Sequence, residues 1–144
     1  MHVRIGLVTL VALAVAVSQA AAASGTRPTV AAASSTYGVV LFDGHGKALY
    51  AFTRDARGRS TCSGACAAAW PPYVVRGPLR PGIGTRAGLL GTTRRPDGSR
   101  QFTYAGRPLY YYVGDRTPGQ ILCQNVVEFG GRWLVIRPNG ALVR

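Results

Sequence analysis

Two short patterns carry most of the side chains in this sequence that could do chemistry. Leu49–Asp55 sets Tyr50, Phe52 and Asp55 in the order Tyr-x-Phe-x-x-Asp, and Leu109–Asp115 repeats it as Tyr110, Tyr112 and Asp115. Residues two apart on a strand share one face, so each pattern can set two rings side by side with a carboxylate at the strand's end. Such a group can serve as an aromatic platform with an acidic rim, able to hold a cation or a sugar. The same residues can instead form a core-facing ring pair, with the aspartate closing a turn through backbone N–H groups. Arg54, Arg57 and Arg116 stand near enough in sequence to pair with the two carboxylates, which favours the architectural alternative. Tyr50, Phe52, Asp55, Trp70, Tyr110, Tyr112 and Asp115 are therefore the candidate binding residues.

Cys62 and Cys66 follow the first pattern, and Cys123 follows the second. Redox pairs usually space their cysteines by two residues within a βαβ context, and neither condition holds here. Adding Cys123 and His45 would give a Cys₃His set suited to zinc, but the spacing does not favour it. A structural disulfide between Cys62 and Cys66 is the expected state in an exported chain. Cys123 is then either an odd thiol or the true partner of Cys62 or Cys66, tying the two halves together. Nothing resembles a Gly-x-Ser-x-Gly elbow, a zinc-protease helix, a phosphate loop or a haem-attachment motif. With five acidic residues and no supporting pattern for a carboxylate pair, we expect no enzyme, no cofactor and no bound metal.

The elements that must position these residues read as short strands and tight turns. His2 and Arg4 precede an uncharged apolar run, Ile5 to Val17, and then small residues through Ala23, the order of a secretory signal peptide over residues 1–23. Residues 24–36 lack large apolar side chains and are expected to form a flexible tether. Beyond Tyr37, apolar runs alternate with turn signals at Asp43-Gly44-His45-Gly46, Arg95-Pro96-Asp97-Gly98-Ser99 and Pro138-Asn139-Gly140. Ser63 to Ala69 is the exception: alanine-rich, preceded by the capping candidates Ser60 and Thr61 and stopped by Pro71-Pro72, it predicts a two-turn helix carrying both cysteines. The two patterns lie sixty residues apart, and each is followed by a tryptophan, Trp70 or Trp133. The expected fold is thus mainly β, a compact pseudo-twofold domain over 37–144. It is built from two β repeats, about 37–77 and 88–144, with one short disulfide-bearing helix.

Charge bounds the partners. Removing Arg4 with the signal segment leaves 16 basic residues against 5 acidic ones, a net charge of +11, and every base but Lys47 is arginine. The arginines are scattered rather than clustered, which argues against a nucleic-acid groove. Anionic cell-envelope polymers or lipid headgroups are the expected partners. No second long apolar run follows the signal segment, so no transmembrane segment is expected in the mature chain. The sequence specifies no oligomeric state.

The set Leu49-Tyr50-x-Phe52-x-x-Asp55, Cys62-x-x-x-Cys66-x-x-x-Trp70-Pro71-Pro72, Gln101-x-Thr103-Tyr104-x-Gly106-x-Pro108-Leu109-Tyr110-x-Tyr112-x-x-Asp115 and Gly131-x-Trp133 resembles a known family. Its members are exported proteins, often lipoproteins, built from repeats with a Tyr-x-(Phe/Trp/Tyr)-x-x-Asp motif. The resemblance covers about Leu41 to Gly140 and implies an exported repeat protein without an assigned activity. This chain departs from the lipoprotein members in having no cysteine after its signal segment. The expected role is an exported, non-catalytic binding or structural module of the cell envelope, in the periplasm, at the cell surface or outside the cell. The alternative is an envelope redox or metal-binding protein using Cys62 and Cys66.

Overall fold

Both motif strands are buried on two sides, and this decides the architecture. In Ala48–Phe52, Tyr50 and Phe52 enter one apolar cluster, while Leu49 and Ala51 enter another. Because successive strand residues point to opposite faces, a strand buried on both faces reads as a continuous apolar run.

The computed structural model describes residues 26–144. The elements are β1 (Val30–Ser35), β2 (Gly38–Asp43), β3 (Tyr50–Phe52), α1 (Ala65–Ala69), β4 (Leu90–Arg94), β5 (Arg100–Tyr104), β6 (Arg107–Pro108), β7 (Val126–Glu128) and β8 (Gly131–Val135). They form three small antiparallel sheets, ordered β1-β2, β3-β8-β7 and β4-β5-β6. The hairpin β1–β2 is matched in the second repeat by β4–β5, with registers Val30↔Asp43 and Leu90↔Tyr104. The fold is mainly β, with two repeats and one short helix.

Each repeat lends the segment after its tryptophan to the motif strand of the other. β8 of the second repeat pairs with β3 of the first, in the register Phe52↔Trp133 and Tyr50↔Val135. Reciprocally, Tyr111 N–H donates to the Pro71 carbonyl and Tyr73 N–H to the Leu109 carbonyl, both at 2.9 Å. At the centre, Tyr50 and Tyr110 exchange two backbone hydrogen bonds, each of 2.9 Å. That pair marks the pseudo-twofold axis. Pro71 and Pro72 have no N–H to donate, so the first repeat's lent segment forms only a bridge to Tyr110 where β8 forms a ladder.

Two sequence expectations need correction. The tether expected over 24–36 is not a tether from Val30 onward, because Val30–Ser35 pairs with β2 residue for residue. Val30 is fully buried, and the other side of β1 is held by Gly82 N–H to Val30 O and Ala32 N–H to Ile83 O. Small side chains sufficed because the neighbouring backbones supply the hydrogen bonds. The signal segment 1–23 lies outside the described residues. Among the described residues, no helix is long and apolar enough to cross a membrane.

The helix is also shorter than expected. It begins at Ala65 after Gly64, whose φ is +55°, and has no side-chain cap. Ser60 and Thr61 are occupied elsewhere: the Ser60 hydroxyl meets Tyr110, and Thr61 donates to Asp55.

Val30→Ala should lower the unfolding free energy by about 2 kcal/mol, from lost methyl burial and the void left behind. The exposed strand residue Ser34, changed to alanine, should stay within about 0.5 kcal/mol of the wild type. Urea midpoints of the two variants check this; a neutral Val30→Ala would restore the tether.

Candidate functional site

The two motifs are clasped together across the axis. Tyr50 donates its hydroxyl to Asp115 Oδ2 at 2.7 Å, and Tyr110 donates to Asp55 Oδ2 at 2.6 Å. Each tyrosine is therefore held by the aspartate of the other repeat. The aspartates stay in place through identical turns, Asp55 N–H to Phe52 O and Asp115 N–H to Tyr112 O, each 3.1 Å. Their second oxygens are also filled. Asp55 Oδ1 accepts from the Thr61 N–H and hydroxyl, and Asp115 Oδ1 accepts from Leu122 N–H. The three-residue spacing between the second ring and the aspartate is thus what reverses the chain and aims a carboxylate at the opposite repeat.

A stack of four rings fills the space beneath this clasp. Trp70 and Trp133 lie parallel at 4.1 Å with a 3° interplanar angle; Phe52 stacks outside Trp133 at 4.2 Å, and Tyr112 tilts against Trp70 at 4.8 Å. Tyr50 and Tyr110 meet the indoles edge-on, at 5.2 Å from Trp70 and 5.1 Å from Trp133. Offset and edge-on ring pairs contribute about 0.5–1.5 kcal/mol each beyond their burial. The stack, like the clasp, is nearly symmetric.

The polar groups around the stack are not. Trp70 Nε1–H donates to Glu128 Oε2 at 2.8 Å, whereas Trp133 Nε1 is buried without a partner. On the Asp55 side only, a buried guanidinium joins the clasp. Arg95 donates to Ser60 Oγ, Gln101 Oε1 and the Cys62 carbonyl, and Gln101 Nε2 holds the Leu109 carbonyl. Since Tyr110 gives its one proton to Asp55, Ser60 must donate to Tyr110, and the donors run Arg95, Ser60, Tyr110, Asp55 in one direction. Burial pushes the Tyr50 and Tyr110 hydroxyls far above the ordinary tyrosine range, so both stay protonated donors. Burial also raises the Asp55 carboxyl above its ordinary value, partly offset by the bonds from Tyr110 and Thr61.

Cys62 and Cys66 form a disulfide with a Cα separation of 5.3 Å, and Cys123 is a free, half-buried thiol. Cys123 is thus not a tie between the halves. Among the described residues, no three His, Cys, Asp or Glu side chains gather into a group able to hold a metal ion. His45 is exposed and lies 3.7 Å from Asp43.

Of the candidate binding residues, Tyr50, Trp70 and Tyr110 have no exposed surface, and Phe52 and Asp115 have almost none. Only Asp55 and Tyr112 are half-buried. They come together as one closed core rather than as two open platforms. Arg54, Arg57 and Arg116 make no ion pair with Asp55 or Asp115; Arg54 donates to the Phe129 carbonyl instead. Sequence reasoning missed Arg95, Ser60 and Gln101. Arg95 sits inside a Pro-Asp-Gly turn signal, which hid a side chain directed inward.

A family model described as a secreted repeat of unknown function matches residues 31–73 and 91–137. The chain belongs to this family of secreted repeats. The two matched segments each contain one Tyr-x-(Phe/Tyr)-x-x-Asp motif in part or whole, so the repeat unit is also the clasp unit. No curated protein and no solved structure matches the chain.

Tyr50→Phe leaves a buried carboxylate oxygen without a donor and should cost about 1–3 kcal/mol of stability. Tyr110→Phe should cost about 1 kcal/mol, since Asp55 keeps two bonds from Thr61 and some contact with water. Denaturant unfolding of both variants tests the order. Asp55 also predicts a pH dependence. Its folded pKa is raised, so its contribution to stability is complete below the ordinary carboxylate pKa and is lost as pH rises through the folded value. Relative to wild type, Asp55→Asn should therefore gain stability as pH rises from about 3 to about 7. A difference that stays flat across that range contradicts the raised value.

Proposed function

We propose that this secreted repeat protein is a non-catalytic module of the cell envelope that binds anionic surfaces through its arginines. One observation carries the reading: the fold uses its acids internally and leaves its bases outside. Asp43, Asp55 and Asp115 each accept a bond from a tyrosine hydroxyl, of Tyr111, Tyr110 and Tyr50 in turn. Glu128 holds the Trp70 indole, and Asp97 closes its own turn through Ser99. Every arginine from Arg27 to Arg144 is exposed, except the buried Arg95 and the half-buried Arg107. Among the described residues, no arginine forms a salt bridge with a carboxylate. An unneutralised guanidinium surface on a rigid core attracts carboxylate and phosphate groups over a range set by ionic strength.

The motif residues, on this reading, act as architecture. Tyrosines locked to aspartates across the axis have no hydroxyl or carboxylate oxygen left for a ligand. They hold two halves in fixed relation so that the surface they carry is rigid.

Sedimentation with vesicles tests the reading. The protein should be retained on phosphatidylglycerol vesicles at low salt, ignore neutral phosphatidylcholine vesicles, and be released at 1 M salt, where the Debye length falls to about 3 Å. Equal retention on both vesicle types, or none on either, contradicts it.

A further inference from the structure

Away from the clasp, a cleft of about 590 Å³ opens between Arg27–Thr29, the turn after β2 and the segment Pro71–Arg80. Its size lies within the range of about 300–1,000 Å³ usual for small-ligand sites. Tyr73, Phe102 and Tyr111 line it, with Tyr73 tilted against the other two rings at 4.6 and 5.0 Å. Both tyrosine hydroxyls are committed: Tyr73 donates to Thr29 O and Tyr111 to Asp43 Oδ2, each at 2.9 Å. Burial pushes the Tyr73 hydroxyl up to about 12, so it too stays a donor. What these rings offer an occupant is carbon surface.

The rim supplies charge of one sign. Arg27, Arg76 and Arg80 line the cleft and are exposed, and their guanidinium groups make no hydrogen bond to any described residue. Asp43 is the one carboxylate in the lining. Its Oδ1 accepts from His45 and Lys47 N–H groups and its Oδ2 from Tyr111, so it is already satisfied. The wall is fixed rather than loose. Thr29 ties the 78–80 segment by three bonds, to Arg80 O, to Pro78 O and from Arg80 N–H. Gly44 lets the Arg27–Pro28 backbone pass where a Cβ would collide with the Pro28 carbonyl oxygen.

The pseudo-twofold axis shows that this cleft is specific to one side. Matching backbone bonds set Tyr111 against Ala51, Phe102 against Leu41 and Tyr73 against Ile136. Those three counterparts are buried, at 1 %, 0 % and 0 % exposure. The other side also brings its terminal hairpin inward through the bridge Ile136↔Leu142. Two half-buried tyrosines therefore stand where symmetry calls for buried aliphatic residues, and the covering segment runs out to β1 instead.

We propose that this cleft binds an anionic sugar, a ring bearing a carboxylate or phosphate, within an envelope glycan. The ring carbons of Tyr73, Phe102 and Tyr111 fit the apolar face of a sugar. Arg76 and Arg80 present planar forks matched to carboxylate or phosphate oxygens, and Arg27 faces the opposite edge. The proposal rests on the anionic-surface reading and adds to it one defined site.

Calorimetric titration at low salt, using the intact secreted protein, separates the two. The probes are a galacturonate oligomer for the carboxylate, glucose 6-phosphate for the phosphate, maltotetraose as the neutral sugar and inorganic polyphosphate for charge alone. Binding of one anionic sugar should weaken at least about tenfold in the pair Arg76→Ala with Arg80→Ala. It should change within about twofold in the pair Arg116→Ala with Arg144→Ala, which removes the same charge elsewhere. Maltotetraose should not bind, and polyphosphate should lose affinity alike in both pairs. Equal weakening of the sugar by both pairs overturns the cleft site. So does the absence of sugar binding in a protein still retained on anionic vesicles, a result that leaves the surface reading intact. Failure of both measurements removes both. Unfolding midpoints equal to wild type in the two pairs exclude a folding defect as the cause.

Discussion

The backbone exchange between Tyr50 and Tyr110, with each side chain reaching the other repeat's aspartate, is the constraint on which the rest of the structure depends. It fixes the axis, and the axis fixes the ring stack, because Trp70 and Trp133 can lie parallel only if both motif strands keep their register. A one-residue slip would turn Tyr50 and Phe52 toward the aliphatic cluster and Leu49 and Ala51 toward the indoles. Such a slip would also carry both aspartates out of reach of their tyrosines. Packing and hydrogen bonding thus select the same arrangement, which is how a sequence made of very short strands specifies one structure.

The clasp also explains the charge distribution. A tyrosine hydroxyl in an apolar interior needs an acceptor, and a carboxylate turned inward to accept it is withdrawn from the surface. Doing this three times, at Asp43, Asp55 and Asp115, leaves a small protein with few exposed acids. Arg95 partly offsets the one carboxylate whose side of the core also carries the disulfide, through Ser60 and Tyr110.

Much of this was legible in the residues. The duplicated motif gave the two repeats, the turn signals gave the hairpins, and the cysteine spacing gave the disulfide. Three things were not. β1 escaped because Ala31–Ser35 has no apolar periodicity; its order comes from neighbouring backbones that a local reading cannot see. Arg95 escaped because turn residues are read as solvated, and only the folded chain shows Ser60, Gln101 and Cys62 converging on it. The partners of Asp55 and Asp115 escaped because the obvious candidates, the adjacent arginines, are nearest in sequence, while the actual donors lie on the other repeat. Sequence spacing located the motif; only the fold could say that it points across an axis.

The lending of β8 to β3 has a consequence for the order in which a secreted chain can fold. Tyr50–Phe52 pairs with Trp133–Val135, so the first repeat cannot complete its sheet until almost the whole chain has emerged. Contacts between residues so distant along the chain are formed late and slowly. The first repeat must therefore wait, its aromatic face uncovered, for the last few residues to arrive, and neither repeat is a folding unit by itself. Duplication here has produced one cooperative body rather than two beads on a string.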